Sequence, residues 1–233
     1  MSNFASSKSV ILKGVRLQWA DIFTAKSGEV NGKKTEPKFK VVALFDPKSE
    51  AATVAKAGLL EAAVALWGEA NARNVVQNIS SNSKALRNGN SKIDDQGNVR
   101  DEFKDMLFIS ASNKTKPQIV GPKKHGGKFV TITEDGRGLV DGLDVTSDLG
   151  WPITVPYRGC YVNLKVQFVA GKSFKAQSGE TIPNQVYAKL EAVQFVCNGE
   201  AFGSGPTSAE GFEDEEVETE GASTGGSEDD GLF

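Results

Sequence analysis

The chain has 233 residues, 39% of them hydrophobic and 24% charged, with a net charge of −3 and a mean hydropathy of −0.31. That is enough apolar material for a packed core in one large domain or two small ones, and no apolar run approaches the ~18 residues of a membrane span. The opening MSNFASSKSV lacks the apolar block of a secretory signal, and two cysteines, Cys160 and Cys197, are too few for a disulfide scaffold; a reducing cytoplasm is expected, with both thiols as small buried hydrophobes.

In chain order, the Val/Ile/Leu-rich run from Val10 to Ala20 predicts a strand. AKSGEVNGKKTEP follows as a lysine-bearing loop, and KFKVVALF, Lys38 to Phe45, as a second strand. Asp46 and Pro47 mark a helix start. The Ala-rich stretch from Pro47 to Arg73 predicts one long helix, with Leu59, Ala63, Leu66 and Trp67 on one face and Trp67 packed in the core. Residues 74–104, polar and rich in Asn, Ser and Gly, predict a long irregular insertion. Further strands are expected over Met106 to Ser112, Phe129 to Thr133, Tyr157 to Ala170 and Gln185 to Val196. The loop GKSFKAQSGETIP joins the last two. Short strands with turn signals predict a mainly β fold, a small barrel or sandwich, carrying one long helix and loop insertions.

The modest net charge hides a division. Ten acids and no bases lie beyond Gly203, which leaves 20 acids against 27 bases before it. Residues 1–203 thus carry about +7 and residues 204–233 carry −10. The second segment has too few apolar groups to fold alone and reads as a flexible, disordered acidic tail. It closes on Leu232-Phe233, an apolar end that a mere solubilising tail does not need. A charge division of this kind points to a polyanion partner, an acidic interaction tail, or both.

Little in the sequence supports catalysis. The single histidine, His125, sits in the loop-like PKKHGGK, away from any evident nucleophile. No His, Cys and acid cluster has metal-ligand spacing. GPKKHGGKF fails the phosphate-loop pattern, because Gly127 takes its lysine position and Lys128 its Ser/Thr position. No enzyme activity, cofactor or metal is expected.

Basic residues do recur beside aromatics. Trp19 and Phe23 precede Lys33 and Lys34; Phe39 lies between Lys38 and Lys40; Tyr157 adjoins Arg158; Phe174 stands between Lys172 and Lys175; Lys114 and Lys116 follow the strand over Met106 to Ser112. Single-strand nucleic-acid binders combine a positive groove for the backbone with rings on which bases stack. Core packing for the aromatics and plain solubilising charge for the lysines are the alternative. An acidic tail on a cationic body would act as a tethered competitor for nucleic acid at an effective concentration on the order of millimolar. Displaced, its acids Glu213, Asp214, Glu215, Glu216, Asp229 and Asp230, with Leu232 and Phe233, would be free to bind another protein.

Two stretches carry a family resemblance. ISASNKTKPQIVGP, Ile109 to Pro122, and YRGCYVNLKVQFVA followed by KLEAVQFVCNGEAFGSG, within Tyr157 to Gly205, resemble the phage single-stranded-DNA-binding proteins, as does the acidic end closing on Phe. The resemblance implies an OB-fold, a five-stranded Greek-key barrel, over residues 1–203. Here the helix follows the second strand, where that fold usually places it after the third. It also implies a groove bordered by loops 20–37 and 171–184. The implied role is to coat single-stranded DNA in phage replication, recombination and repair in the host cytoplasm, with the tail recruiting replication proteins such as a polymerase, helicase or primase. A phage structural or assembly protein, and a nucleic-acid-processing enzyme, stand as alternatives.

Overall fold

The computed structural model describes residues 2–30, 33–175, 179 and 181–202. The expected acidic tail, with its candidate residues Glu213, Asp214, Glu215, Glu216, Asp229, Asp230, Leu232 and Phe233, lies outside the described residues.

Five strands form the frame: β1 (Phe4–Lys26), β2 (Lys38–Phe45), β3 (Leu107–Asn113), β4 (Tyr161–Gly171) and β5 (Gln185–Cys197). β1 pairs antiparallel with both β2 and β4, β2 with β3, and β4 with β5. A parallel pairing of β5 with β3, at Ala188–Ala111 and Lys189–Ser112, closes the ring. The cyclic order 1-2-3-5-4 is that of the five-stranded Greek-key OB barrel. Alternation explains it: Val162, Leu164, Val166 and Phe168 of β4 point in and are fully buried, while Asn163, Lys165 and Gln167 between them point out.

The expected helix forms, but in two pieces. α1 (Glu50–Trp67) starts at Ser49, whose hydroxyl accepts from the Ala52 amide. It stops at Gly68, which adopts a positive φ of 76°. α2 (Glu69–Asn78) then leaves at 115° to it. The sequence pattern carries over this break, so the helix read to Arg73 ends at Trp67, and part of the stretch read as irregular is helical. The buried face of α1 is built from small residues, Ala51, Ala52, Ala55, Gly58 and Ala62, which let it lie close on the barrel. A Cβ on Gly58 would stand 2.8 Å from the Phe168 ring. Trp67 packs against the core, as expected. Among the described residues no single helix is long and apolar enough to cross a membrane.

Residues 79–106 are ordered by long-range backbone bonds rather than by periodicity. The short strand Leu86–Asn88 extends the sheet beyond β3, pairing Arg87 with Phe108. Gly89 donates to the Met106 carbonyl at 2.7 Å. A Cβ there would come within 2.0 Å of the Phe103 carbonyl oxygen, so only glycine fits. Arg100 donates through its backbone to Lys92 at 2.9 Å, and the Asp105 amide to Asn90 Oδ1 at 2.7 Å. Beyond the barrel's other side, the strands Gln118–His125 and Lys128–Ile132 form a hairpin beside β5. His125 therefore ends a strand instead of lying in a flexible loop. Cys160 is buried and burial pushes its thiol pKa up; Cys197 is exposed, against expectation, as the last residue of β5.

Candidate nucleic-acid interface

Trp19 owes its position to a bulge. The β1–β2 register slips between Leu17 and Trp19, so Leu17 and Gln18 are both buried and Trp19 is turned outward, 43% exposed. Its ring lies in a row with Val42 and Ser110 on the outer face of β1, β2 and β3. Asp21 Oδ2 accepts from Trp19 Nε1 at 2.8 Å and also pairs with Lys26 at 2.8 Å, which fixes the ring plane.

A cleft of about 380 Å³ opens beside this ring. Its floor is Val42, Ser110, Phe103 and Phe108. Leu44, Phe103 and Phe108 form a small buried cluster of their own on this outer face, the two phenylalanine rings edge-on with centroids 5.4 Å apart. Around the floor stand Lys40 from β2, Arg158 from the segment before β4, and Arg87, Lys92 and Arg100 from the 79–106 excursion. Arg158 Nε donates to the Gln18 carbonyl at 2.9 Å, and its guanidinium stands 5.9 Å from the Trp19 ring centroid. Arg87 Nε donates to the Lys84 carbonyl at 2.7 Å. Arg87 and Lys92 each lie 5.4 Å from the Phe108 ring centroid.

None of these five cations is paired with an acid among the described residues. Burial holds Arg87 below the usual guanidinium range. Burial, then repulsion from Arg87, Lys40 and Arg100, holds Lys92 below the usual lysine range. Concentrated positive charge beside the exposed Trp19 ring, unpaired among the described residues, is a site for a polyanion carrying flat apolar groups.

A second, wider cleft of about 800 Å³ adjoins the first. Lys38 and Ser112 line it, each two residues along its strand from Lys40 and Ser110 of the first cleft, hence on the same face about 7 Å on. Its far wall is Phe174, Tyr187 and Lys189. Lys114 here is paired with Glu36, which lowers the glutamate's pKa through their hydrogen bond. Phe174 sits in a two-residue hairpin, Phe174–Lys175 with Thr181–Ile182, and packs edge-on against Phe4 at 6.2 Å. Tyr187 is 41% exposed.

The sequence candidates thus divide. Trp19, Lys40 and Arg158 meet in the first cleft; Lys38, Lys114 and Phe174 line the second. Lys34 is exposed in a small hairpin, Glu29–Val30 with Lys33–Lys34, within the loop between β1 and β2; of Lys33 only the backbone is described. Lys175 is exposed and Lys172 half-buried beside the second cleft's hairpin. Phe23 and Lys116 stand apart: Phe23 packs against the core with Lys116 Nζ 5.9 Å from its ring centroid. Tyr157 is engaged structurally, its hydroxyl donating to the Gly199 carbonyl at 2.7 Å and accepting from the Gly199 amide at 3.1 Å. Arg87, Lys92, Arg100, Phe103 and Phe108 did not emerge as candidates from the sequence. Among the described residues no group of three or more potential metal ligands occurs.

A family model described as Enterobacter phage Enc34, ssDNA-binding protein, matches residues 8–222. The chain belongs to that family. It is also 29% identical over 209 residues to putative protein p50 of Acyrthosiphon pisum secondary endosymbiont phage 1, covering 87% of this chain and 91% of that one. Among solved structures, the single-stranded DNA-binding protein from bacteriophage Enc34 in complex with ssDNA matches with a TM-score of 0.51 at 15% identity, over 84% of this chain and 89% of that one. At that identity the likeness supports the fold, and it agrees with the barrel order described above.

Proposed function

We propose that this protein coats single-stranded DNA along the outer face of β1, β2 and β3. Bases stack on the exposed Trp19 ring, which the buried Phe103–Phe108 pair backs, while Lys40, Arg87, Lys92, Arg100 and Arg158 neutralise phosphates. The strand continues over Lys38 and Ser112 into the second cleft, where Phe174, Tyr187 and Lys189 offer a second, weaker set of contacts, and the lysines of the 27–37 loop and Lys175 border the path. The observation that carries this reading is the set of five cations with no acid partner among the described residues, held beside the exposed Trp19 ring. Family membership supports the same reading. It is a binding role with no chemistry of its own, and its setting is phage DNA replication, recombination and repair in the host cytoplasm. The acidic residues 204–233 compete with DNA for the cationic body and, once displaced, recruit replication proteins such as a polymerase, helicase or primase through Asp229, Asp230, Leu232 and Phe233.

Titration of labelled oligo-dT against a duplex of equal length at two salt concentrations tests it. Single strands should be preferred, and affinity should fall with salt by about 0.7 log units per log unit of salt for each phosphate neutralised. Shortening the chain to Gly203 should tighten binding at matched salt. A shortened protein that ignores oligo-dT in dilute buffer would overturn the proposal.

A further inference from the structure

The elbow between α1 and α2 holds a recess of different chemistry. It measures about 400 Å³, with Leu59, Leu60, Val76 and Leu86 as an apolar floor. Its charged rim is Lys56, Arg73 and Lys84, all cationic. None of the three pairs with an acid among the described residues; Lys56 and Lys84 reach only backbone carbonyls, of Pro47 at 3.4 Å and Gln77 at 3.3 Å. The floor has no aromatic ring, so it offers bases nothing to stack on, unlike the cleft beside Trp19.

We propose that this recess receives an acidic segment of a partner protein, whose apolar side chains seat on the leucine floor while its carboxylates meet Lys56, Arg73 and Lys84. Charge complementarity selects the partner, and an amphipathic segment in a groove is a recurrent recognition mode. The recess also adjoins the DNA cleft. Leu86 and Arg87 are consecutive on one strand and so face opposite ways, Leu86 into the recess and Arg87 into the cleft. Lys84 lends its side chain to the recess and its carbonyl to Arg87. A partner seated here binds while DNA occupies the other face.

The probe is a fluorescein-labelled synthetic peptide of Glu and Leu with leucines at i, i+3, i+4 and i+7, beside a version with Lys for every Glu. Fluorescence anisotropy is read on the full chain already saturated with oligo-dT. The Glu peptide should bind and the Lys peptide should not. Arg73→Glu and, separately, Leu60→Asp should each weaken the Glu peptide at least about tenfold while leaving oligo-dT affinity unchanged. Arg73 is exposed, so its variant stays informative if Leu60→Asp unfolds. Glu-peptide binding to the DNA-free chain that is lost on saturation with oligo-dT would place the peptide in the DNA cleft and overturn the proposal, as would indifference to Arg73→Glu. Binding seen only after shortening the chain to Gly203 would assign the recess to the protein's own acidic end. Self-association blocked by Arg73→Glu in the absence of peptide would assign it to a second copy. Either result overturns the partner reading.

Discussion

The two adjoining clefts share strands and differ in how their charge is held. In the first, five cations surround an aromatic floor with no acid among the described residues; burial lowers the pKa of Arg87, and burial with repulsion from its cationic neighbours lowers that of Lys92. In the second, Lys114 is already paired with Glu36 and Phe174 is packed against Phe4. Among the described residues a phosphate entering the first cleft meets only unpaired cations; in the second, one of the three lysines, Lys114, already has a partner in Glu36. Free charge, rather than the number of lysines, therefore marks the stronger contact.

Four substitutions probe that contrast, in decreasing order of effect. Trp19→Ala should weaken oligo-dT binding by about 1–3 kcal/mol, the usual range for a lost stacking platform, with an unchanged melting temperature; equal binding would remove the first cleft from the interface. Lys92→Met should weaken binding and lower the salt slope by about 0.7, yet raise thermal stability. The sign follows from linkage. The folded-state pKa of Lys92 lies below its unfolded value, so the penalty is full at pH below the lowered pKa and fades as pH rises through it. The stabilisation should therefore be present at neutral pH and shrink toward alkaline pH in paired melts of the two proteins. Phe174→Ala should weaken binding less than Trp19→Ala, near the low end of about 1 kcal/mol; a loss as large as that of Trp19→Ala would make the clefts equal. Glu36→Gln frees Lys114 and should steepen the salt slope slightly, with little change in stability, since exposed pairs contribute little.

Alternation made the barrel strands legible in place but not always in extent: β2 was read to its residue limits and β5 to within one residue, β4 was begun four residues early, and β1, read as Val10 to Ala20, runs from Phe4 to Lys26. The helix was legible except at Gly68, where periodicity cannot register a 115° turn. One wall of the candidate cleft was legible, through Trp19, Lys40 and Arg158, since aromatic and basic residues stand close in sequence there. The opposite wall was not. Residues 84–105 mix bases with acids, so their net charge is unremarkable. In the structure two of the five acids are engaged in turns: Asp94 accepts from the Asn98 and Gln96 amides, which lowers its pKa, and Asp105 bonds Asn90. Arg87, Lys92 and Arg100 are left to face the cleft. Spacing cannot reveal that division, because it depends on contacts such as Gly89 to Met106. Tyr157 and Phe23 show the converse, aromatics beside bases whose rings are engaged in packing or hydrogen bonding.

The most direct measurement is the salt dependence of oligo-dT affinity for the full chain and for a Lys40→Ala, Arg87→Ala, Arg158→Ala variant of confirmed fold. Three cations lost from a phosphate-binding cleft should reduce the slope of log affinity against log salt by about 2. An unchanged slope would mean that the phosphates lie elsewhere on the molecule and would contradict the account.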